Sequence, residues 1–121
     1  MMPPAYILVY TKYRFLVSVH IEIGTRFKTR EIKDLVMKTF PKESFSRDSI
    51  IPSDHCYNLH NHGLSDDIER RCIIFMKIER GYYEYVGEHA KVNCEIIHTP
   101  KKGRSYPYGK WVNGIRILNE E

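Results

Sequence analysis

Apolar and polar positions change period several times along the chain, and each change marks an element. Residues 5–10 are apolar and β-branched. In the stretch 13–24, Phe15, Val17, Val19, Ile21 and Ile23 alternate with Leu16, Ser18, His20 and Glu22. A period of two predicts a half-buried strand, with a helix through Leu16, Val19 and Ile23 as the poorer fit. From Thr29 the period becomes helical, placing Ile32, Leu35, Val36 and Phe40 on one face. Thr29 is the expected N-cap, Glu31 complements the helix dipole, and Pro41 stops the helix.

The connection 42–51 is polar except for Phe45, Ile50 and Ile51. Pro52 and Ser53 then suggest a second, very polar helix over 53–61, with Ser53 as N-cap and Gly63 as C-cap. In such a helix Cys56 and Leu59 turn inward. His55, Asn58 and His62 share the outer face, with Asp54 and Asn61 close by. Its residues rank low in helix propensity, so it needs tertiary support. After a charged link at 64–71, residues 72–79 and 82–86 flank Arg80–Gly81 and predict a β-hairpin. A strand at 92–98 follows, and a last one at 111–118 is broken by Asn113–Gly114. The expected fold class is α+β, two short helices packed on a mostly antiparallel sheet. With no repeat or linker, residues 1–121 are expected to form a single domain.

Taken in order, helix 29–40, helix 53–61 and hairpin 72–86 resemble a winged helix-turn-helix. Small nucleic-acid-binding modules of this kind occur in phage and restriction-related proteins. The resemblance covers about half of the chain. It implies that the second helix enters the major groove of DNA and that the hairpin, as wing, lies on the backbone. By that likeness His55, Asn58, Asn61 and His62 are readers, an Asn amide being suited to adenine. Ser53 and the amides beside it would hold a phosphate, as would Arg80 at the hairpin tip.

Charge supports an anionic partner without requiring one. The chain carries 19 basic and 15 acidic residues, a net +4, with a pI near 9.0. Between Thr99 and Leu118 there is no acid, and Lys101, Lys102, Arg104 and Lys110 are interleaved with Tyr106, Tyr108 and Trp111. That mixture suits a phosphate track with base stacking; the plainer alternative is a solvated loop with its aromatics turned inward. The leading expectation is a DNA-binding module, with double-stranded DNA as partner and no cofactor. The competing expectation is a protein-interaction module, such as a phage or host inhibitor, anchored by Tyr82, Tyr83, Tyr85, Tyr106, Tyr108 and Trp111.

Enzymatic readings have less behind them. Cys56, His60, His62 and Cys72, spaced C-x₃-H-x-H-x₉-C, are candidate metal ligands, with His55, His89, Cys94 and His98 in reserve. The spacing matches no standard zinc pattern, and a cysteine is often simply a small core residue. The string His60-Asn61-His62 spells HNH, but nucleases of that name draw their residues from separate elements around one metal. A metal-dependent nuclease therefore stands as a second alternative. Three cysteines without a CxxC pair fit a reducing compartment. No run approaches the ~20 apolar residues of a membrane span, and no secretory signal opens the chain, so the cytoplasm is expected.

Overall fold

Backbone pairing decides the architecture here more than helix periodicity does. The computed structural model describes residues 21–39, 50–64 and 72–119. The apolar stretch 5–10, most of the expected strand 13–24, the stop at Phe40–Pro41 and most of the links 42–51 and 64–71 lie outside those residues. The elements are β1 (Arg26–Lys28), α1 (Thr29–Thr39), a 3₁₀ turn (Pro52–His55), β2 (Leu59–Asn61), β3 (Phe75–Glu79), β4 (Tyr82–Tyr85), β5 (Cys94–Thr99), β6 (Tyr106–Val112) and β7 (Ile115–Leu118). One sheet runs β1-β4-β3 and the other β2-β5-β6-β7. Among the described strands β2 and β5 pair in parallel and the other pairs are antiparallel.

The described residues thus form a mostly β structure with one α-helix and seven strands. This corrects the expected α+β class with two helices, and with it the winged helix-turn-helix resemblance. The second helix does not form. After one 3₁₀ turn, Cys56 is already extended, at φ −105° and ψ 141°. His55 O accepts from Ile74 N at 3.0 Å, Tyr57 N donates to Phe75 O at 2.9 Å, and Leu59–Asn61 pair with Ile97–Thr99. A segment of weak helix formers gains more from these inter-strand bonds than from a helix of its own.

The first helix lies where its periodicity put it. Ile32 and Val36 are buried in the first core, with Leu35 and Met37 packed against it. Glu31 reaches back to accept from the Lys28 backbone N–H, so the cap is made from inside the helix. Thr29, the expected N-cap, is the first helical residue, and its N–H donates to Gly81 O at 3.0 Å. Hairpin β3–β4 also stands as expected, turning at Arg80–Gly81. The expected last strand, 111–118, instead spans the end of β6, a turn at Asn113–Gly114 and β7, which form a hairpin. Asn113 and Gly114 both have positive φ (50° and 83°), as a tight turn between twisted strands requires. Ile21–Gly24, the described end of the expected first strand, is irregular, and Ile23 is exposed.

Two cores follow from the two sheets. Ile32, Val36, Ile50, Cys56, Cys72, Ile74, Phe75, Tyr83 and Tyr85 form the first; Tyr57, Ile73, Ile96 and Trp111 form the second. The segment 55–61 is the seam between them, running along β3 and then joining β5. Tyr57 fixes it: its hydroxyl donates to Gly87 O at 2.6 Å and accepts from Ala90 N, and its carbonyl accepts from the Trp111 indole. Burial pushes the Tyr57 phenol above its ordinary range. Among the described residues no helix is long and apolar enough to cross a membrane.

Candidate nucleic-acid interface

Pairing of β5 with β6 makes residues 100–105 the tip of a hairpin, and every cation on that tip is exposed: Lys101, Lys102 and Arg104. The hydroxyls of Thr99 and Ser105, 3.4 Å apart, face each other across its base. Tyr106 follows at 48% exposure. On the other side of β5, His62 N donates to Thr99 O at 2.8 Å, which sets the exposed His62 beside the same tip. The parallel β2–β5 register therefore gathers the end of the polar run and the basic segment at one end of one sheet.

Behind the tip lies a ring cluster. His60 is buried and paired with His98, Nδ1 to Nδ1, at 2.8 Å. Tyr108 stacks on both imidazoles, 4.4 Å from His60 and 5.0 Å from His98 between ring centres. Tyr106 lies 5.1 Å from His98. Sequence reading named His98 only as a reserve metal ligand. Nothing local could have paired it with a residue 38 positions away.

Most of the expected readers have other partners. His55 is buried, and its Nδ1 donates to Cys72 O at 2.7 Å. Asn58 gives Nδ2–H to Lys77 O and accepts Lys77 N–H on Oδ1, both at 3.0 Å. Asn61 donates to Ser53 Oγ at 3.0 Å and Asp54 Oδ1 at 2.8 Å, which engages Ser53 as well. Of the segment 53–62, His62 is the exposed member. Arg80 belongs to the first sheet, in an open groove with Lys28, Arg30 and Glu79. Lys110 is exposed in mid-β6, directly across the ladder from Glu95.

The metal candidates are also dispersed. Cys56 and Cys72 lie in the first core, His60 in the ring cluster and His62 at the surface. Among the described residues no three His, Cys, Asp or Glu side chains come together as a metal site. The aromatic docking set is divided too, since Tyr83, Tyr85 and Trp111 are buried.

A family profile for a domain of unknown function, DUF7225, matches residues 9–118. The chain belongs to that family. It is also similar to the uncharacterized protein YnaC of Bacillus subtilis (strain 168), with 36% identity over 100 residues. The matched region is 82% of this chain and 35% of that protein, so the chain spans about a third of that relative's length. No solved structure gives a significant match. For this DUF7225 domain the candidate surface thus rests on its own geometry: a cationic tip, an exposed tyrosine, and histidines ordered behind them.

Proposed function

We propose that this domain is a non-enzymatic nucleic-acid-binding module of the cytoplasm, and that it binds through the β5–β6 tip. One observation carries the reading. Lys101, Lys102 and Arg104 are exposed on a single turn, next to the exposed Tyr106 and the exposed His62. Cations on the phosphates and an aromatic face under a base are the two parts of a single-strand site. The pairing of exposed cations with an exposed tyrosine supports a single strand as the ligand, with the duplex as the alternative. Three cysteines without a CxxC pair support the cytoplasmic part of the proposal, since such cysteines suit a reducing compartment.

Fluorescence anisotropy with labelled single strands and matched duplexes, across a salt series, tests this. Three single-strand phosphate contacts predict a log–log salt slope of about −2. Reversing Lys101, Lys102 and Arg104 to Glu removes binding while the fold is retained. A folded protein that binds neither form at the lowest salt defeats the proposal. Preference for duplex would instead place the hairpin in a groove, as β-ribbon readers do.

A protein partner has one specific feature in its favour. Val112, Ile115 and Ile117 are exposed on β6 and the outermost strand β7, Val112 directly opposite Ile115. A stoichiometric partner recovered after nuclease treatment, and lost with Ile115→Lys, would favour it.

A further inference from the structure

The seam segment 55–61 sets the direction of both hairpins. It runs parallel to β3 through the Cys56–Phe75 bridge, and further along the Asn58 amide brackets the Lys77 peptide. It runs parallel to β5 as well, with Leu59 opposite Ile97 and Asn61 opposite Thr99. β3 and β5 therefore point the same way, and the turns that follow them leave the same end of the domain. Their levels also match. Arg80 lies three residues beyond Lys77, and Asn61, the partner of Thr99, lies three beyond Asn58. The Arg80–Gly81 turn and the 100–105 tip are thus neighbours, with the end of the seam between them. Strands that flank a third are separated by two inter-strand spacings, about 10 Å. A few nucleotides of a single strand cover a gap of that order.

The two turns carry similar chemistry. Around the first, Lys28, Arg30 and Arg80 are exposed and line one open groove, together with Tyr82. They come from the end of β1, the first turn of α1 and the β3–β4 turn. Two contacts hold those elements together. Lys28 stands opposite Tyr82 in the β1–β4 ladder, and Thr29 N donates to Gly81 O at 3.0 Å. Glu79 is the acid that lines the groove, and the cations outnumber it. At the end of the seam, Asn61 donates to Ser53 and to the Asp54 carboxylate. The stretch between the turns therefore carries an acid, and phosphates would be held at two anchors and not along a continuous track.

Resting on the nucleic-acid reading above, we infer that the Lys28, Arg30 and Arg80 groove is a second phosphate subsite, reached by the same single strand once it extends beyond the β5–β6 tip. Fluorescence anisotropy of the full chain with oligothymidylates of about four and about twelve nucleotides, lengths within the range of single-strand sites, tests it. Three contacts at the tip give a log–log salt slope of about −2, and six give about −4 for the longer strand. A longer strand also offers more binding registers, which raises affinity but not the slope, so the slope decides. Lys28→Gln combined with Arg80→Gln should bring the longer strand to a slope of about −3 and leave the shorter one unchanged. Both side chains are exposed, so the fold is retained. In the unaltered protein, NMR signals of residues 79–82 should move with the longer strand and not with the shorter. Equal slopes for the two lengths, or a double variant with the slope of the unaltered chain, overturns the second subsite and spares the tip. No binding of either length removes both.

Discussion

Asn58 presents both ends of its amide to the Lys77 peptide, the same donor–acceptor pair that would match an adenine edge. The side chain does the work of a backbone unit, holding the seam segment against β3. Asn58→Ala should therefore cost about 1–3 kcal/mol in chemical denaturation, since it strands a peptide N–H and a carbonyl that are partly buried. It should leave nucleic-acid affinity of the folded fraction unchanged for every sequence tested. A stable variant with altered base preference would restore Asn58 as a reader. His55, Asn61 and Ser53 are engaged in the same way. Residue type showed that this stretch was rich in hydrogen-bonding groups. It did not show whether their partners lay inside the fold or outside it.

Among the elements, those set by local pattern were legible and those set by distant pairing were not. Helix α1 and hairpin β3–β4 could be read from period and turn residues, because each closes on itself within a few positions. The 53–61 segment could not. Its conformation depends on Phe75 and on Ile97–Thr99, partners far along the chain, and propensity alone gives a weak helix. The basic segment was likewise legible as chemistry but not as strand. β6 runs through Tyr106–Val112 because β5 and β7 flank it. At Gly109 the backbone of β7 leaves no room for a side chain. A Cβ there would lie 2.8 Å from Leu118 Cα and clash with Ile117 O. Gly109→Ala should destabilise the domain by about 2 kcal/mol or more, read as a lowered denaturation midpoint with unchanged m-value. A midpoint equal to that of the unaltered chain would mean that β6 and β7 separate at little cost.

At the scale of the molecule, a net charge of +4 is too small to name a partner by itself. Its distribution is more informative. One cationic group, Lys28, Arg30 and Arg80, lines a groove between the start of α1 and the β3–β4 turn, and another, at residues 101–104, lies on the second sheet. The second has an exposed aromatic ring and an exposed histidine beside it. That difference selects the β5–β6 tip, and the parallel β2–β5 pairing is what brings His62 to it. The most direct check is an amide-resolved NMR titration of the domain with a short single strand. Chemical-shift changes should concentrate on His62 and residues 98–106, and leave Asn58 and Arg80 nearly still. Changes centred on residues 53–58 or on the Arg80 turn, with the 98–106 signals unmoved, would contradict the account.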